Sequence, residues 1–171
     1  QGHVALEKQL ADFEAAEAAM IFPSGFAANV GVIPALVGRG DIIFSDAANH
    51  ASIIDGCRLA SVRVQVYPHN DVDYLRKMLE QSRHFRRRLI VTESVFSMEG
   101  SHAQLPQLGA LAEEFGAMLL VDEAHATGIF GKCGRGLCEM LGVEDGVHVR
   151  VGTCSKALGC AGGFVAGSKS L

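Results

Sequence analysis

Short apolar runs alternating with amphipathic helical stretches predict an α/β domain, a three-layer sandwich in which a mostly parallel sheet is covered by helices on both faces. The runs Leu89-Ile90-Val91-Thr92 and Met118-Leu119-Leu120-Val121 lack the polar alternation of a half-wet strand, so both faces of each are expected to be buried. Helical patterns lie between the runs, as crossover connections between parallel strands require. Polar and ionisable residues then fall at the ends of the runs, where ligands collect in such sheets: Ser24 to Phe26, His50, Glu93 and Ser97, Asp122 and His125, and Thr153 to Lys156.

In chain order, the first helix is expected over 4–17, where Leu6, Leu10 and Phe13 recur at spacings of four and three among charges. An apolar run over 18–22 is broken by Pro23-Ser24-Gly25, and helical periodicity resumes over 26–37 through Val30, Ile33 and Leu36. Pro34 is expected to bend or shorten that helix. Strand, Ser-Gly and helix in succession gather free N–H groups and a positive dipole end at one point, where a phosphate could sit. A plain turn uses the same residues.

The next strand spans 41–45, and a helix through Ile53, Ile54 and Cys57 follows, with Asn49 or His50 able to cap it. The stretch 62–67 alternates as a strand with Arg63 and Gln65 facing water, and Asn70 or Asp71 caps a helix that ends near Arg83. After the 89–92 strand, Pro106 suits the first turn of a helix with Leu108, Leu111, Ala112 and Phe115 on one face, and Gly116 is its stop. The strand to Asp122, a glycine-studded loop over 126–136, a short helix over 137–141 and a strand over 147–152 complete the series. A last segment, 159–167 around Phe164 and Val165, suggests a strand returning along the sheet.

The 171 residues suffice for one core, and 49% hydrophobic content with 20 glycines and 20% charged residues describes a compact buried-sheet protein. A net charge of -4 argues against a nucleic-acid surface, and the basic cluster Arg83 to Arg88 reads as a solvated approach to a strand. No run nears the roughly 18 apolar residues of a membrane span, and no signal-peptide pattern opens the chain. The five cysteines form no Cys-x-x-Cys pair and the seven histidines no His-Glu-x-x-His, so neither a metal site nor a disulfide framework is expected and a reducing cytoplasm is the default. The absence of an initiator methionine suggests a piece of a longer chain.

The chemistry concentrates around Lys156, in Gly152-Thr153-Cys154-Ser155-Lys156-Ala157-Leu158-Gly159. A lysine crowded by small and hydroxyl residues would be partly desolvated and free to act as nucleophile or base, although a solvated lysine past a strand has the same sequence. Asp122 at a strand's carboxyl end and His125 three residues on complete the parts of a pyridoxal phosphate site. There the acid pairs with the ring nitrogen and the lysine holds the cofactor. In that reading His50 lies flat over the ring.

Ser24-Gly25-Phe26-Ala27-Ala28-Asn29, Asn49-His50-Ala51-Ser52, Val95-Phe96-Ser97-Met98-Glu99-Gly100, Asp122-Glu123-Ala124-His125-Ala126-Thr127-Gly128 and Thr153-Cys154-Ser155-Lys156 occur in one order along the chain. Together they resemble the successive signatures of the alpha-oxoamine synthases, pyridoxal phosphate enzymes of the aspartate aminotransferase fold. The resemblance implies that 1–171 is the cofactor-binding large domain without its N-terminal segment and C-terminal small domain, and that this piece alone is inactive.

It further implies that Lys156 links to the cofactor and moves a proton at the substrate's alpha carbon, that Asp122 keeps the ring nitrogen protonated, and that His50 stacks on the ring. His125 and Ser97 would bond the phenolic oxygen side, Gly25 and Phe26 with Thr153 would hold the cofactor near its phosphate, and Glu93 would brace the network. The implied reaction condenses an amino acid with an acyl thioester on coenzyme A or acyl carrier protein, with loss of carbon dioxide, in a homodimer. The Glu123 to Gly128 and Phe164 to Gly167 wording is similar to the biotin-synthesis branch, which takes alanine and a pimeloyl thioester. The stretch 45–60 is also similar to 2-amino-3-ketobutyrate ligase. Cys154, Cys160 and Ser101, the last standing where aspartate is usual, depart from the family pattern. Another pyridoxal phosphate enzyme of this fold and a non-catalytic phosphate-binding domain are the rival readings.

Overall fold

The computed structural model describes residues 2–171. Seven strands, β1 (Ala18–Phe22), β2 (Ile42–Asp46), β3 (Arg63–Tyr67), β4 (Arg88–Glu93), β5 (Met118–Asp122), β6 (Val149–Thr153) and β7 (Gly163–Gly167), form one sheet in the order β1-β7-β6-β5-β4-β2-β3. Pairings from β3 across to β6 are all parallel, and β7 runs antiparallel between β6 and β1. The expected returning strand is thus the one reversed member. Among the described residues no helix is long and apolar enough to cross a membrane.

The apolar runs are continuous because successive side chains feed two cores. Ile43, Leu89, Val91, Leu120 and Val151 pack on α2 (Gly25–Leu36) and α3 (Ala51–Leu59) through Ala28, Ile33, Ile53 and Cys57. Their neighbours Ile42, Phe44, Ile90, Leu119 and Val121 pack on the opposite face against α4 (Val72–Gln81), α5 (Leu105–Phe115) and α6 (Leu137–Leu141) through Leu75, Leu79, Leu108, Leu111 and Leu137. Turn chemistry sets the boundaries. Asp71 accepts from the Tyr74 N–H at the start of α4, and Gly116, at φ 56°, closes α5 in the left-handed region.

Three expectations need correction. The first helix, α1 (Gly2–Phe13), stops well short of residue 17, because Glu14 turns inward to Arg150 of β6 and Ala15 takes a φ of 51°. Pro34 lies inside α2, which runs two residues past it; so near the helix end, its missing N–H removes a single bond of the ladder. On β3, Arg63 faces water but Gln65 is half-buried and Val66 is 60% exposed, because among the described residues β3 is an edge strand paired only to β2.

Candidate active site

The parallel strands end together, and the register sets their last side chains beside one another. Glu93 pairs with Asp122 across β4 and β5, and Asp122 with Val151 across β5 and β6. A cleft of about 180 Å³ opens over these ends. Gly25, Phe26, His50, Glu93, Asp122, His125, Thr153 and Lys156 all line it.

Asp122 is the buried anchor. Its Oδ2 accepts from Asn29 Nδ2 at 2.6 Å and its Oδ1 from the Ala124 N–H at 2.8 Å. Burial pushes its carboxyl up against the pull of those donors, of Lys156 and of His50. A carboxylate held in this way is completed by a cation, and a protonated ring nitrogen is such a cation. The neighbouring Glu123 points elsewhere: it accepts from Ser94 Oγ and from the Leu137 and Cys138 N–H groups, capping α6.

His50 is both the cap of α3 and part of the cleft, since its Nδ1 accepts from the Ser52 N–H. Its backbone N–H donates to Glu93 Oε1 at 2.6 Å. Asn49 does not cap the helix. It replaces the sheet ladder past Ser45 and Val91, donating to Ser45 Oγ and the Val91 carbonyl and accepting from the Glu93 N–H.

Burial first, and then the Asp122 charge, push the Glu93 carboxyl up to about 7 from 4.5. The folded protein therefore keeps a proton there that the unfolded chain releases. The stability this group contributes is full below pH 4.5 and is lost as pH rises through about 7. Glu93→Gln, which keeps an acceptor for His50, should lose less stability than the wild type between about pH 5 and pH 8 in urea unfolding. Equal losses would place the charged carboxylate in water.

A corner able to take a phosphate is built at the start of α2. Ser24 Oγ accepts from the Ala27 N–H, and the first-turn N–H groups at Gly25 and Phe26 have no carbonyl within the helix. The fit is close. A Cβ on Gly25 would lie 3.1 Å from the Thr153 Cβ, and one on Gly163 would overlap the Ser24-Gly25 backbone. Thr153 Oγ1 and Ser155 Oγ share a hydrogen bond at 2.9 Å beside them.

Lys156 reaches the cleft but is exposed, not crowded as its sequence setting suggested, because it sits in the bends beyond β6. His125 is held below the ordinary histidine range by burial and then by the Lys156 charge, which favours a neutral imidazole. Ser97 is exposed in the turn after β4, outside the residues lining the cleft. Ser101, further along that loop, meets His69 Nε2 at 2.9 Å while His69 Nδ1 meets Asp46 Oδ1, and this chain ties the loop to the end of β2. Asn29, Ser52 and Ser155 were given no role by sequence reasoning. For Asn29 the available signal is a lone amide on an apolar helix, one turn after Gly25.

The chain is 53% identical over 169 residues to the 8-amino-7-oxononanoate synthase of Geobacter sulfurreducens, covering 99% of this chain and 43% of that protein. It is 50% identical to 8-amino-7-oxononanoate synthase 1 of Bacillus velezensis, again spanning 43% of it. Among solved structures, Sphingomonas wittichii serine palmitoyltransferase superposes with a TM-score of 0.93 at 45% identity, over 98% of this chain and 42% of that one. The Francisella tularensis 8-amino-7-oxononanoate synthase gives 0.86 at 32%, over 99% and 49%. A serine palmitoyltransferase carrying PLP as its internal aldimine gives 0.90 at 41%, over 96% and 42%. These relatives are alpha-oxoamine synthases. Residues 1–171 match the family described as aminotransferase class I and II from end to end, and the chain belongs to it.

Proposed function

We propose that this chain forms the pyridoxal phosphate site of an alpha-oxoamine synthase, a C-acyltransferase that condenses an amino acid with an acyl thioester and releases carbon dioxide. The carrying observation is that one cleft joins a buried carboxylate, Asp122, to an accessible amine, Lys156, with imidazoles from His50 and His125 at its rim. When bound, pyridoxal phosphate supplies an electron sink for the substrate's alpha carbon. Asp122 holds the proton on the ring nitrogen, and the Lys156 amine binds the cofactor and moves the proton at the alpha carbon. His50 orients the ring face, and neutral His125 bonds the phenolic oxygen without adding charge. The first turn of α2, with Thr153, receives the phosphate.

Identity of 50–53% to 8-amino-7-oxononanoate synthases favours alanine and a pimeloyl thioester, on coenzyme A or acyl carrier protein, in a homodimer. The likeness to serine palmitoyltransferase supports a second reading, with serine and a long-chain thioester. The test is a panel on the full-length protein that crosses alanine, glycine and serine with pimeloyl, acetyl and palmitoyl thioesters. Carbon dioxide release with alanine and pimeloyl thioester is the expected result, and keto-acid formation without thioester would assign an aminotransferase. Borohydride reduction followed by peptide mapping should leave a pyridoxyl group on Lys156. Unmodified Lys156 in cofactor-saturated protein would refute the site.

A further inference from the structure

We propose that Asn29 is a positioning residue: by giving both protons of its amide, one to Asp122 and one to Ser52, it sets the direction of a hydrogen-bond chain that leaves the ring proton of His50 on Nε2. This inference deepens the cofactor-site reading and rests on it for its functional meaning, though not for its geometry.

Asn29 is 1% exposed, within the apolar helix α2. Its Nδ2 lies 2.6 Å from Asp122 Oδ2 and 3.0 Å from Ser52 Oγ. An amide carries two protons on that nitrogen, and both are used. Its Oδ1 is buried with no partner, so the amide keeps an orphaned acceptor in order to present two donors here. The reversed amide would set an oxygen against the Asp122 carboxylate.

The direction then propagates. Having accepted from Asn29, Ser52 Oγ has one proton to give, and His50 Nδ1 is 2.8 Å away. The Ser52 backbone N–H points at the same nitrogen from 3.2 Å. Nδ1 therefore receives two donors and carries no proton of its own, which fixes the neutral ring as the Nε2–H tautomer. The acid proposed to face the ring nitrogen and the imidazole proposed to lie on the ring face are thereby joined through two uncharged side chains. A change of charge at Asp122 alters how firmly Asn29 holds Ser52, and through Ser52 how His50 is held.

The test uses full-length protein with ring-15N histidine, free of cofactor, observed by long-range proton–nitrogen NMR. In wild type the His50 Nδ1 should resonate as a bare nitrogen and Nε2 as a protonated one. Asn29→Ala should draw the two shifts part of the way together, since the Ser52 backbone N–H still points at Nδ1, Ser52→Ala should do the same, and the double variant should move no further than Ser52→Ala alone. Ser52→Thr should restore the wild-type pattern. Asn29→Ser, whose hydroxyl cannot reach both partners, serves if the alanine variant is unfolded by circular dichroism.

A wild-type tautomer in folded Asn29 variants, or an Asn29→Ala effect that persists in the Ser52→Ala background, overturns the proposal. Pyridoxal phosphate is then added, and the pH midpoint of its bound absorption band should shift in Asn29→Ala. Wild-type protein that takes up no cofactor would defeat the proposed function, while the tautomer result stands on its own.

Discussion

Asp122→Asn is expected to lower turnover of the full-length protein by about 10²–10³-fold, the scale of losing one preorganised charged group, and to lower stability by about 1–3 kcal/mol. The substitution is nearly isosteric, so packing does not explain the loss. The cause is donor arithmetic. Asn29 Nδ2 and the Ala124 N–H each donate to a different oxygen of Asp122. An asparagine offers only one oxygen, so its NH₂ must confront one of these donors in a buried place. The activity loss has a separate origin, because a neutral amide no longer favours a proton on the cofactor's ring nitrogen. Steady-state kcat with urea unfolding on the same preparation separates the effects. Unchanged turnover with reduced stability would make Asp122 a structural carboxylate only.

Arg150→Ala is expected to cost about 3–5 kcal/mol, as loss of one member of a buried ion pair does. Arg150 is 6% exposed and Glu14 1% exposed. The guanidinium donates to Glu14 Oε2 from Nε and to the Glu14 carbonyl from Nη2, and its Nη1 approaches Glu144 Oε1 at 3.8 Å. Removing it strands a carboxylate and a carbonyl together at the end of α1. The double variant Arg150→Met with Glu14→Leu should recover most of the loss, because no isolated charge then remains inside. Urea midpoints at constant m-value provide the measurement, and a single-variant loss under about 1 kcal/mol would show the pair to be solvated.

The sheet was legible because a strand buried on both faces has to be apolar throughout. Leu119 and Leu120 face opposite cores, the pattern of a strand covered by helices on both sides. The polar residues at strand ends were legible for the same reason, since they interrupt runs with no tolerance for them. Three features were hidden. The end of α1 depends on Arg150, a partner far along the chain, and helical periodicity carries no trace of it. The accessibility of Lys156 depends on which elements cover it, and composition around the lysine does not report that. Asn29 reads as a weak helix residue until Asp122 and Ser52 are placed against its amide.

The reversed strand has a consequence for how the molecule is made. Among the described residues β1 joins the sheet only through β7, yet β1 spans Ala18–Phe22 and β7 Gly163–Gly167. On the ribosome, β1 waits for β7 to emerge before it has a strand to pair with, a closure of long range along the chain. A nascent chain stalled before Gly163 would therefore expose two unfinished edges at once, β1 with its open N–H groups and the bare flank of β6, and would be a natural client for a chaperone.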